Sequence, residues 1–269
     1  MRTSSKKILL VAGAAVLTVA LYFAPQNVKK EKETINNPFS FETILADSKN
    51  GLKRQEVEKI NVVEMAYLKD TSSLTLIDSL GKMWDRLNNP QVAARYFELL
   101  AEKKPNEKNW INAAFRYFDA FRLVNDSSFR KMYVEKAISA YQKVLEINPE
   151  NLDAKTDLGI CYAEGTSTPM QGILMLREVV QKNPRHEMAL FNLGVLSVKS
   201  GQYEKAVDRF EKVVEVNPNN KEARFLLGRT YMMMGKSDLA LKNLEVIRES
   251  NDTEFNTEVN NLINQINNH

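Results

Sequence analysis

Apolar residues recur at helical spacing along most of the chain. Trp110 to Val124 and Phe129 to Ile147 each keep one apolar face, with Asn125-Asp126-Ser127-Ser128 between them as turn and N-cap. Both runs predict long helices, read as a hairpin projecting beyond its neighbours rather than a decorated loop. Phe255, Val259, Leu262, Ile263 and Ile266 predict a final helix over 255–266, with asparagines on its other face. Nearer the start, Phe39, Phe41, Ile44 and Leu45 precede Asn50-Gly51, and Val57, Ile60, Val63, Met65, Tyr67 and Leu68 follow it; the spacing predicts two short amphipathic helices. Ile8–Ala24 differs from all of these: 17 residues carry no charge, just enough helix to span a bilayer core.

The pattern also repeats. Leu193-Gly194 recurs as Leu227-Gly228, Gly201 as Gly235 and Ala206 as Ala240, each 34 residues on. Looser copies lie upstream: Leu158-Gly159, Tyr162 and Pro184; Trp110, Tyr117, Ala137, Tyr141 and Pro149; Leu80-Gly81, Trp84, Ala93, Phe97 and Pro105. A unit of this length that returns with its small and large residues in register is one supersecondary element stacked on copies of itself.

These residues at this period resemble the tetratricopeptide repeat family, over roughly two thirds of the chain. The resemblance implies an all-α solenoid of helical hairpins with about five units, at 74–106, 107–151, 152–186, 187–220 and 221–254. The family pattern fails once, where Asp252 replaces the closing proline; a terminal unit departs from consensus because a capping helix, here 255–269, covers it. Small residues at the eighth position (Gly81, Ala114, Gly159, Gly194, Gly228) are expected to meet small residues on the second helix (Ala93, Ala137, Gly172, Ala206, Ala240), letting the two helices approach closely.

Residues 1–7 carry Arg2, Lys6 and Lys7, and 8–24 is read as an uncleaved transmembrane signal anchor. Thr18-Val19-Ala20 is the one tolerable small-x-small cleavage site, and the absence of a nearby cysteine excludes a bacterial lipoprotein. A polar linker follows at 25–38. Residues 39–73 either cap the first repeat or occupy a binding surface. The basic residues before the span favour, slightly, a cytoplasmic N-terminus. In a bacterium this places a single-pass protein in the inner membrane with its repeats in the periplasm; the alternative is a cytosolic face.

Charge and chemistry narrow the function. The chain has 37 Lys+Arg and 34 Asp+Glu, and setting aside Arg2, Lys6 and Lys7 equalises them, so no electrostatic footprint for nucleic acid remains. No catalytic, cofactor or metal set is found. His186 and His269 are the two histidines and Cys161 stands alone, read as a small buried hydrophobe. No phosphate loop or nucleophile elbow occurs. The chain is therefore not expected to be an enzyme or to need a cofactor.

What the resemblance implies is binding. Carrying the family's concave positions onto this sequence gives Ile111, Phe115 and Phe118 in the second repeat and Ile160 in the third. The fourth contributes Met188, Phe191, Val195 and Val198, and the fifth Phe225, Arg229, Met232 and Met233. The strip lacks the polar set of a carboxylate clamp. It is suited to an amphipathic helix or an apolar extended segment of a protein partner, unless tight curvature buries it as core. Two readings follow: a membrane-anchored scaffold or assembly factor, or a membrane receptor for targeting signals with cytosolic repeats.

Overall fold

The computed structural model describes residues 37–249 and 252–268; the expected span at 8–24 lies outside them. The chain divides into two units, 1–43 and 44–269. Of the first, 37–43 are described: a turn and the start of α1 (Phe41–Asn50), where the Ser40 hydroxyl accepts from the Thr43 amide at 3.1 Å.

The second unit continues α1 and adds α2 (Arg54–Lys69), α3 (Leu74–Arg86), α4 (Pro90–Lys103), α5 (Glu107–Leu123), α6 (Ser127–Ile147), α7 (Leu152–Gly165), α8 (Pro169–Lys182), α9 (Glu187–Lys199), α10 (Tyr203–Val216), α11 (Lys221–Met233), α12 (Ser237–Glu245) and α13 (Thr253–Asn267). The described residues contain thirteen helices and no strand, in an all-helical solenoid. From α3 to α12 successive helices pair as five hairpins, each packed on the next. None of these helices is long and apolar enough to cross a membrane.

Helix starts follow from the sequence. Asn106, Asn151 and Asn220 open the first helices of three hairpins, each accepting from the amide three residues on. Asp126 starts α6 by accepting from Ser128 and Phe129, and Asp252 starts α13 in the same way. Within hairpins one, four and five the reversal needs a left-handed residue. Gly201 (φ 71°) and Gly235 (φ 69°) supply it without steric cost, and Asn88 (φ 56°) holds the equivalent place in the first.

Close approach within hairpins departs from expectation. A Cβ on Gly194 would lie 2.6 Å from the Phe210 ring, on Gly81 2.9 Å from Phe97, and on Gly228 2.8 Å from Leu244. The residue filling the space is thus a large one, four positions beyond the alanine expected from the repeat pattern, because side chains on the second helix lean back toward its N-terminus. At Gly159 and Gly172 two small residues do meet backbone to backbone, and a Cβ on Gly228 would also lie 3.3 Å from the Ala240 carbonyl oxygen, beside Leu244.

The loops between hairpins carry a recurring polar tie. Glu107 accepts from the amides of Asn148 (3.0 Å) and Asn151 (2.7 Å), and Glu187 from Asn217 (2.9 Å) and Asn220 (2.8 Å). One carboxylate thereby joins the start of a hairpin to its end and to the start of the next. The buried core has one cluster from Ala94 to Leu193 and another from Ala206 to Ile266. At the N-terminal end α2 packs on α3, with Ile60 fully buried, and Lys49 of α1 reaches Asn61 at 3.0 Å and Glu64.

Candidate functional site

The first helices of the second, fourth and fifth repeats present parts of the strip read from the sequence. Phe115, Met188 and Met233 are exposed, by 45%, 52% and 43%. Ile111, Phe191, Val195, Val198, Phe225 and Met232 are half-buried and Arg229 is exposed. Phe118 and Ile160 depart from the expectation. Both are 6% exposed and belong to the core, Phe118 stacked on Phe121 with ring centres 6.0 Å apart. The continuous apolar strip therefore becomes two patches, one around Phe115 and one from Met188 to Met233. Between them the third repeat offers Asp153 and Glu164, the latter 3.6 Å from Lys199.

Aromatic contacts fix the second patch. The Phe191 ring meets Phe210 edge-on at 5.9 Å, and Phe225 lies 5.7 Å from Phe255 of α13. The terminal helix thus covers one end of the strip as well as the end of the core, a double role that periodicity alone does not reveal. In the first patch the Arg116 guanidinium sits 5.0 Å over the Phe115 ring and also pairs with Asp85.

Beside Met188 and Phe191 opens a cavity of about 600 Å³ at the junction of the third and fourth repeats. Asp153, Glu187 and Glu222 line it against one cation, Arg185, so its mouth is acidic. His186 is buried at its edge. Its Nδ1 accepts from the Ala189 amide at 3.4 Å, and its Nε2 lies 3.2 Å from Asp153 Oδ1. The ring thus does the work that asparagine does at the neighbouring junctions.

Two further ionisable groups, Cys161 and Asp157, lie in the third repeat. Cys161 is fully buried and burial pushes its thiol well up, away from reactive thiolate. Among the described residues no three His, Cys, Asp or Glu side chains are grouped to hold a metal. Asp157 accepts from the Tyr141 hydroxyl at 3.0 Å, yet burial, aided by Asp153 and Asp119, pushes its carboxyl up to about 6 from 3.8. Because the folded value is the raised one, its contribution to stability is full below pH 3.8 and is lost as pH rises through about 6. Asp157→Asn keeps an acceptor for Tyr141 and removes the buried charge, so it should raise stability at neutral pH by roughly 1–3 kcal/mol. Denaturant melts at pH 4 and pH 7.5 check this, and a variant less stable at pH 7.5 would contradict the assignment.

Two family models described as tetratricopeptide repeat match the chain, one at 197–266 and one at 133–151. Over 95 residues, 35% of the chain, it is 30% identical to a protein of Schizosaccharomyces pombe (strain 972) named for cargo transport, of which the match spans 10%. A solved tetratricopeptide repeat protein from Parabacteroides merdae superposes with a TM-score of 0.57 at 20% identity, covering 84% of this chain and 85% of that one. A thermophilic one from Thermus thermophilus gives 0.53 at 17% identity, over 71% and 99%. At these identities the likeness is one of fold.

Proposed function

Starting from the premise that the chain carries tetratricopeptide repeats, we propose that it is a membrane-anchored protein-interaction scaffold that grips a segment of a partner protein along its first helices. The observation that carries the reading is the exposure of Met188 and Met233 on either side of half-buried Phe191, Val195 and Phe225. Large apolar side chains left in water at regular positions are suited to a partner's apolar face. The thioethers adapt to its shape. Carboxylates at the cavity beside Met188 favour a partner with basic residues flanking that face. Anchoring rests on the uncharged run 8–24, and the placement of the repeats in the periplasm on the basic residues before it.

The test uses the full chain in carbonate-washed membranes, with photocrosslinking residues at Met188 or Phe115 and, as control, at Ile147. The expected result is retention through the wash and one protein crosslinked from Met188 and Phe115 but not from Ile147. Met188→Asp with Phe115→Asp should abolish capture while leaving helix content at the wild-type level, because both side chains are exposed. Release by the wash would overturn the anchor. Undiminished capture by the double variant would overturn the groove.

A further inference from the structure

The opposite side of α9 carries a second surface. Strip residues Met188, Phe191, Val195 and Val198 lie on one face of this helix, and Leu190, Leu193, Leu196 and Ser197 on the other. That second face floors a furrow between α8 and α10. Two adjoining cavities of about 670 and about 300 Å³ make up the furrow, and both are lined by Arg177, Leu193 and Arg209.

Its walls are unlike an ordinary solvated face. Met170 and Leu174 on α8 stand 62% and 56% exposed one turn apart, with Arg177 a turn further along the same stripe. Arg209 is half-buried; its guanidinium donates to the Leu193 carbonyl at 2.7 Å and to the Ser197 hydroxyl, which holds it at the middle of the furrow. Neither arginine has a carboxylate partner among the described residues. Glu178 and Asp208 also line the larger cavity, but each is paired with a lysine, Glu178 with Lys155 and Asp208 with Lys212 at 2.9 Å, which leaves the two arginines as the unpaired charges of the furrow. Lys205 adds a further cation, its ammonium held by the Gln202 amide oxygen at 2.7 Å. Burial and the neighbouring Arg177 hold the Arg209 guanidinium below its ordinary value, and Asp208 only partly offsets them.

We propose that this furrow is a docking site for an acidic amphipathic helix of a protein partner. Leucine-type residues of the partner would enter between Met170, Leu174 and the floor, and its carboxylates would be received by Arg177 and Arg209. Charge complementarity selects the acidic partner, and the guanidinium fork suits carboxylates. Length selects a helix: Met170 to Gln181 spans about 16 Å of α8, roughly three turns. The site is independent of the strip across α9, so a scaffold could hold two partners at the level of the fourth repeat.

The probe is a fluorescent, stapled helix of about three turns with leucines along one face and flanking glutamates, titrated into the full chain by anisotropy. Its glutamine counterpart and phosphatidylserine vesicles run beside it. Binding is expected for the glutamate peptide, weakened roughly tenfold in the glutamine counterpart. Arg177→Glu should weaken it as much without lowering the melting temperature, since Arg177 is exposed, makes no ion pair among the described residues and opposes the charge of Arg209. Leu174→Ser should also weaken it. Met188→Asp with Phe115→Asp should leave this binding intact, which separates failure here from failure of the strip. Equal affinity for both peptides, indifference to Arg177→Glu, or an Arg177-dependent response to vesicles or to self-association alone would overturn the proposal.

Discussion

Gly172→Ala is expected to loosen the third repeat strongly, because the methyl would meet backbone on the facing helix. A Cβ there would overlap the Gly159 carbonyl oxygen and lie 2.6 Å from the Ala163 nitrogen. Both obstacles are backbone, so no rotamer change relieves them and α7 must move from α8. Overpacking of this kind costs about 3 kcal/mol or more. For a domain of this size that corresponds to a fall in Tm on the order of 10 °C. Gly194→Ala faces the edge of a Phe210 ring, which can swing, and should cost less. Thermal melts of the two variants rank them, and a smaller loss for Gly172→Ala would contradict the packing described.

Glu98→Ala should be comparably severe for an electrostatic reason. Glu98 is 8% exposed and accepts from the Tyr117 hydroxyl at 2.7 Å, Arg95 at 2.7 Å and Lys136 at 3.0 Å, tying α4 to α5 and α6. Removing it leaves these donors facing an apolar side chain, a loss of about 3–5 kcal/mol when a buried charge network is broken. Burial pushes the Glu98 carboxyl up, but the Tyr117 hydroxyl, Lys136 and Arg95 outweigh it and hold it below 4.5. With the folded value depressed, the contribution is present above pH 4.5 and is lost as pH falls through the folded value. Glu98→Gln should flatten the acid limb of the stability profile while keeping part of the network. Urea melts across pH 3–7 read both effects; an unchanged acid limb in Glu98→Gln would refute the account. The slope is opposite to that of Asp157, so the two carboxyls are separable in one titration.

The solenoid was legible because its period, glycines and prolines are local signals, each tied to a turn or a close approach. What the sequence could not show was which large residue fills each glycine notch. Phe210 rather than Ala206 faces Gly194 because of side-chain direction, not spacing. The concave positions were partly legible: Phe115, Phe191 and Phe225 do not enter the deep core, whereas Phe118 and Ile160 do. Helical position fixes a direction, but burial depends on what the neighbouring hairpin places there. Glu98 and the Arg177–Arg209 furrow had no sequence signal, since their meaning arises from residues brought together by stacking. The ties of Glu107 and Glu187 did have one, the spaced asparagines of Asn148-Pro149-Glu150-Asn151 and Asn217-Pro218-Asn219-Asn220.

Those ties also set how the molecule would answer a mechanical load. A carboxylate holding two amides stiffens the joints after the second and fourth repeats. At the joint after the third, the corresponding contact is His186 with Asp153, whose side chain is 91% in water. Just beyond it the core passes from one cluster to another, bridged by the small group Leu190, Val213 and Ala223. A stack of repeats with doubly tied joints on either side of a weaker one does not yield evenly. Between the second and fourth joints, tension would be felt first at residues 183–190, where the third repeat meets the fourth.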